Sequence, residues 1–321
     1  MKPIARLALA TLALVAATPA SAQEFPTKPI HLVAPFAPGG AVDIVARTLG
    51  KQLGEQLGQP VIVENRPGAS GNLAPELVTK AAPDGYTLLI AANGLATNPT
   101  LFPNLSFNVQ RDLAPVAYIG YSPLLVVTAP SLPAKSLKEL IALAKAQPGK
   151  LTYGSAGNGT SGHLATEMLK YTAKIDALHV PYKGGAPAMV DTIAGRISFM
   201  LVDPVQAMQH VASQRLRAIA VGSPKPLPLL PNVPTATESG LPGFEATVWW
   251  GLLVPAKTPR NVVAKLNAET NKALGEAAVK DKLAEMGAIT APGTPEQFGD
   301  YIRAETEKWA TVIRHAGIKA D

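Results

Sequence analysis

From Lys28 to Asn93 the sequence alternates short apolar runs with amphipathic ones, and this alternation restricts the fold more than any other feature of the chain. KPIHLVAPF (28–36) reads as a strand. The turn APGGAVD leads into a helix whose Val42, Val45, Ala46, Leu49, Leu53 and Leu57 recur at three- and four-residue spacing, with Gly58 and Pro60 as its stop. VIVEN (61–65) is the next strand, RPGASGN a turn, LAPELVTKAA a helix, and PDGYTLLIAAN (83–93) a turn and a third strand. A βαβαβ order of this kind builds a parallel sheet with helices on its faces.

The pattern restarts after a change near Tyr118–Pro123. LLVVTAP (124–130) is a strand, and Ser136 with Glu139 forms a capping box that opens a helix over 137–147. LTYGSA, ALHVPY, ISFMLVD and LRAIAVG follow as strands separated by three helices. A proline-rich connection then leads to one long strand in EATVWWGLLVPAKTP (245–259) and three helices. The first of these has Thr258 as its N-cap and Pro259 at its first position, and the last is opened by a capping box, Thr294 to Gln297. A helical tail needs a sheet to cover, and the first unit has only two helices of its own. The expected fold class is therefore α/β in two lobes, each a mainly parallel sheet flanked by helices. Domain I is discontinuous (23–122 and 247–321), domain II is inserted (123–246), and two crossings join them. A cleft with two crossings is the geometry of hinge closure around a ligand.

The N-terminus reads as a secretory signal peptide, residues 1–22. Lys2 and Arg6 precede a stretch from Leu7 to Ala17 broken only by Thr11, and Ala20-Ser21-Ala22 is a cleavage site. The net charge of +6 falls to +4 without Lys2 and Arg6, and no Lys/Arg run is present, so nucleic acid is not an expected partner. With no cysteine there is no thiolate nucleophile, Cys-type zinc site or lipid-bearing residue. These features point to an unanchored periplasmic protein.

Within YGSAGNGTSGH (153–163), Gly157, Gly159 and Gly162 spell the dinucleotide fingerprint between a strand and a helix. The acid that should end the next strand is missing there (HVPYKGG), so no NAD and no other cofactor is expected. Ser161 sits in a near miss to the hydrolase elbow, with His163 where the last glycine belongs. The five histidines form no metal-ligand pair. What remains is a repeated device: Ala37-Pro38-Gly39-Gly40-Ala41 and Ser155 to Gly162 each join a strand end to a helix N-terminus, presenting backbone N–H groups to an anion. Either loop alone reads as a tight βα turn. Two matched loops in two lobes of an exported chain favour binding.

KPIHLVAPFAPGGAVDIVAR, VIVENRPGASGN, PDGYTLLIAANG, YGSAGNGTSGHLA, HVPYKGG, PTATESG and WWGLLVPAKTP follow one another along the chain. In these stretches it resembles the Bug proteins, the substrate-binding components of tripartite tricarboxylate transporters. The resemblance implies a periplasmic Venus flytrap (type II-like), a ligand bearing a carboxylate (a dicarboxylate, tricarboxylate, aromatic acid or amino acid), and membrane transporter subunits as partners. It also implies a pincer of backbone N–H groups and bridging waters. Carried onto this chain, the ligand-binding residues are Ala37, Gly39 and Gly40 from the first loop and Ser155, Ala156, Asn158, Thr160 and Ser161 from the second, with Asn93 and Asp203 lining the cleft. Asp43 matches a loop-bracing aspartate, Tyr182 and Lys183 a hinge or cleft floor, and Pro204 stands where asparagine is common. The expectation is a monomeric, non-enzymatic binding protein for transport. The alternatives are a periplasmic sensor component and, less favoured, a secreted serine hydrolase using Ser161 and His163.

Overall fold

The computed structural model describes residues 25–285, 287–316 and 318. The signal-peptide segment 1–22 lies outside them. No helix among the described residues is long and apolar enough to cross a membrane.

Two sheets carry the fold. The first contains β1 (Ile30–Ala34), β2 (Val61–Asn65), β3 (Thr87–Ala91), β4 (Leu113–Pro123), β10 (Thr247–Pro255) and β11 (Ile289–Thr290), in the spatial order β11-β4-β10-β3-β1-β2. The second contains β5 (Leu125–Thr128), β6 (Thr152–Ser155), β7 (Leu178–Pro181), β8 (Phe199–Val202) and β9 (Arg217–Val221), in the order β7-β6-β8-β5-β9. The chain passes between sheets at Leu124, one residue separating β4 from β5, and returns between β9 and β10.

Both sheets are mixed, which corrects the expectation of mainly parallel ones. β1 pairs parallel with β2 and β3, and β6 parallel with β7 and β8. β10 runs antiparallel to both β3 and β4, and β5 antiparallel to both β8 and β9. The cause is the crossing itself: β10 and β5, the strands that come in from the other sheet, run opposite to the βαβ strands, whereas β4 and β9, from which the chain leaves, run with them.

Helix α1 (Ala41–Leu57) turns Val42, Val45, Leu49 and Leu53 onto one face of the first sheet, beside Val262, Leu266 and Leu274 of α9 (Arg260–Gly275) and Val279 and Leu283 of α10 (Ala277–Ala284). The opposite face is covered by α2 (Leu73–Thr79), α3 (Gly94–Leu101), the single turn α4 (Val109–Asp112) and α11 (Pro295–Ala316). Successive residues of a strand face opposite ways. Trp250 accordingly joins the α1/α9 core, and Trp249 the other, against Phe298 and Ile302 of α11. The second sheet carries α5 (Leu137–Ala146), α6 (Ser161–Ala173), α7 (Gly185–Ile193) and α8 (Pro204–Ala212).

The capping box at Thr294 is reciprocal: Gln297 N–H donates to Thr294 Oγ1 at 3.2 Å, and Thr294 N–H to Gln297 Oε1 at 2.9 Å. Ser136 Oγ accepts from Glu139 N–H at 3.2 Å. Thr258 does not cap α9: its hydroxyl donates to Pro255 O at 2.8 Å, and Pro259 is the N-cap. The first helical N–H groups, those of Val262 and Val263, donate to Pro259 O, so the helix starts one residue later than expected.

Candidate functional site

Open α/β sheets gather ligands beyond the C-terminal ends of their strands. Here five strand ends run into helix N-termini around one cavity between the sheets, about 560 Å³ with its mouth included. The N-caps are Gly40 for α1, Asn93 for α3, Thr160 for α6, Gly184 for α7 and Asp203 for α8. None of these five N-cap residues caps its helix with its own side chain, in contrast to Ser136 on α5 and Thr294 on α11. First-turn N–H groups have no partner within their own helix, so an uncapped N-terminus leaves them to water or to an anion. The cavity is lined by Gly40, Ala41 and Val42 of α1, Asn93 and Gly94 of α3, and Ala156, Thr160, Ser161 and Gly162 at α6. Gly185, Asp203 and Gln206 complete the polar and backbone lining, with Phe36, Ala92, Met200, Leu201, Val202 and Val248 as its apolar floor. No lysine or arginine lines it.

Six of the ten sequence-nominated ligand residues therefore meet at this cavity: Gly40, Asn93, Ala156, Thr160, Ser161 and Asp203. Ala37, Gly39, Ser155 and Asn158 do not line it, and the contacts of the first three show them shaping the loops. Gly39 has φ +79°, a conformation glycine adopts without strain, and its N–H donates to Asp43 Oδ2 at 2.9 Å. Asp43 is buried and ties the first loop together. Arg47 Nε donates to Oδ2 at 3.0 Å, and Asn65 Nδ2 donates to Oδ1 at 2.9 Å and to Phe36 O at 2.9 Å. Burial alone would push the Asp43 carboxyl up, but the hydrogen bonds from Arg47, Gly39 N–H and Asn65 outweigh it and hold the group below its usual range.

In the second loop the Ser155 hydroxyl is engaged beneath the site. It lies 2.6 Å from His179 Nε2 and accepts from Gly157 N–H at 3.1 Å. Thr160 Oγ1 donates to Gly157 O at 2.7 Å, and Gly159 N–H donates to His163 Nδ1 at 3.1 Å. His163 and His179 stack at 4.3 Å, and Tyr153 stacks on His179 at 4.7 Å. Asn93 contributes backbone rather than side chain: its amide is clamped to β10, Nδ2 donating to Thr247 O at 3.1 Å and Oδ1 accepting from Trp249 N–H at 2.9 Å.

The lobes touch across the cleft. Ala37 N–H donates to Lys183 O at 3.1 Å, and Thr97 Oγ1 donates to Gly159 O at 2.6 Å. Tyr182 is a bracing residue, its hydroxyl donating to Asp191 Oδ2 at 2.6 Å. Sequence reasoning missed Gln206, Gly185 and Thr97. Gln206 was findable, since it stands one turn after Asp203 on the same helix. Thr97 was not, because its partner is brought to it only by the packing of the lobes.

Two comparisons with known proteins bear on this site. The family model described as the tripartite tricarboxylate transporter family receptor matches residues 45–318. BugT of Bordetella pertussis is 38% identical over 305 residues, covering 94% of each chain.

The chain belongs to the tripartite tricarboxylate transporter receptor family.

Among solved structures, Rpa4515 of Rhodopseudomonas palustris with adipate superposes with a TM-score of 0.90 at 34% identity, covering 92% of this chain and 99% of that one. MatC from the same organism, with bound malate, gives 0.86 at 33% identity, covering 90% and 100%. The fold is thus the two-lobed α/β fold of periplasmic binding proteins, and BugD, described as a periplasmic binding protein, superposes with a TM-score of 0.89 at 32% identity, covering 92% of this chain and 99% of that one.

Proposed function

We propose that this chain is a periplasmic receptor that captures a small carboxylate in the cleft and delivers it to a tripartite tricarboxylate-type membrane transporter. One observation carries the reading: five helix N-termini without side-chain caps converge from both lobes on a cavity whose lining has no formal cation. Each such N-terminus favours an anion by about 0.3–2 kcal/mol, more when water is excluded. The carboxylate oxygens take N–H groups of Ala41 and Val42 on one side and of Ser161 and Gly162 on the other, directly or through water. Gly40, Ala156 and Thr160 shape the walls. Ala37, Gly39 and Ser155 hold the loops in place. Adipate and malate in the related structures support an acid of this size. The lobes, 23–122 with 247–321 and 123–246, close about the junctions at Leu124 and Ala246, and the exported chain acts as a monomer without a cofactor.

Thermal shift against mono-, di- and tricarboxylates, with sugars and organic bases as controls, tests the reading. At least one acid is expected to raise the melting temperature; a response confined to sugars or bases refutes it. The hydrolase reading finds little support, because His163 Nδ1 accepts from the Gly159 N–H and holds the loop. Ester or amide turnover abolished by Ser161→Ala would reinstate it.

A further inference from the structure

The end of the cleft at α8 differs from the other four. Pro204 is its first residue and has no N–H, and the Gln206 N–H already donates to Asp203 O at 3.1 Å. Recognition there falls to side chains. Asp203 Oδ1 and Gln206 Nε2 are both buried, and neither has a hydrogen-bond partner among the described residues. Both residues line the cavity, Gln206 with 8% of its surface exposed. The Gln206 amide lies across the bare Cα of Gly185, where any Cβ would overlap it. Buried polar atoms are satisfied in native proteins. An acceptor and a donor left together on one helix turn, facing a ligand cavity, describe the chemistry of what fills it.

Resting on the carboxylate reading above, we propose that the ligand carries, at the end facing α8, a neutral group that both donates and accepts a hydrogen bond, a hydroxyl or a carboxamide, held between Asp203 Oδ1 and Gln206 Nε2. An ammonium only donates and leaves Gln206 Nε2 unpaired. A second carboxylate only accepts, leaves Asp203 Oδ1 unpaired and sets two anions together. A methylene satisfies neither. Asp203 is the only ionisable residue in the lining, and its burial pushes the carboxyl up to about 7, so a test above that value holds it charged.

Isothermal titration at pH 8.5 with matched probes tests this: malate against succinate and aspartate, 2-hydroxyadipate against adipate, 3-hydroxybutyrate against butyrate. The hydroxy acid of the pair that fits is expected to bind at least about tenfold tighter than its unsubstituted partner, with aspartate gaining nothing over succinate. Asp203→Asn presents a second donor beside Gln206, so plain dicarboxylates should improve and the ratio should fall toward one. That variant removes a buried charge, and a melting curve verifies its fold. Equal binding within every pair, a lead for aspartate, or a ratio unchanged in Asp203→Asn overturns the proposal while leaving the carboxylate reading intact. Failure of every acid, substituted or not, overturns both.

Discussion

Gly159→Ala separates backbone strain from lobe closure. Gly159 has φ +75°, and a Cβ there would overlap Asn98 Oδ1 and stand 2.8 Å from Leu101 Cδ1, both on α3 in the opposite lobe. Asn98 cannot swing aside freely, since its Nδ2 donates to Ser70 O at 3.1 Å and to Asn72 Oδ1 at 2.8 Å. The left-handed backbone costs an alanine about 1 kcal/mol whether the lobes are open or closed. The overlap exists only when they are closed and costs about 1–3 kcal/mol. Stability should therefore fall by the first amount, while affinity for the cognate acid falls by the second, about 5- to 150-fold in Kd. Gly58→Ala is the matched control: φ is +67°, no atom lies within 4 Å of the added Cβ, and the site is far from the cleft. It should lose similar stability and no affinity. Urea unfolding and isothermal titration on both variants give the comparison. If Gly159→Ala binds the acid as tightly as the wild type, the two-lobe contact is not part of binding.

Three further outcomes follow from the loops and the α8 wall. Asp43→Ala removes the acceptor of the Gly39 N–H, Arg47 and Asn65; it should cost about 1.5–3 kcal/mol in urea unfolding and weaken acid binding, while Asp43→Asn should lose less. Gly39→Val should weaken binding through strain rather than collision, because the nearest atom to a Cβ there is Ala186 Cβ at 3.8 Å; titration with Gly39→Ala should give a smaller loss in the same direction. The Asp203 carboxyl is raised from 3.8 to about 7 by burial, so the folded state holds its proton more tightly than the unfolded chain. Its cost is absent below pH about 4, grows as pH rises to about 7 and is full above that; Asp203→Asn should thus add up to about 4 kcal/mol at pH 8 and little at pH 4. Chemical unfolding at the two pH values checks it, and an equal gain at both contradicts it.

The βαβ alternation was legible because apolar spacing and turn residues reflect local geometry. β4 was not, since Leu113–Pro123 contains Pro115, Gly120 and Pro123, which read as turn residues. The strand survives through irregular register against β10 and through Gly120, whose φ of +152° lets β11 approach closely. α3 was missed because GLATNPTL (Gly94–Leu101) scatters its polar Thr97, Asn98 and Thr100 among apolar residues without a helical stripe and contains Pro99. At the site, loop chemistry nominated residues by type and position. It could not tell a serine that lines the cavity, as Ser161 does, from one whose hydroxyl is turned under the loop toward a histidine, as at Ser155. That distinction depends on His179, more than twenty residues on, and on the stacking of Tyr153, His179 and His163 that holds it.

The central claim is that backbone N–H groups at the cleft's helix starts take the carboxylate. Amide ¹H–¹⁵N spectra, titrated with the acid giving the largest thermal shift, test it most directly. The amide protons of Ala41, Val42, Gly94, Ser161 and Gly162 should move downfield as hydrogen bonds form, while the first-turn amides of α5, capped by Ser136, stay in place. Saturable binding that leaves those five amides unmoved would contradict the account.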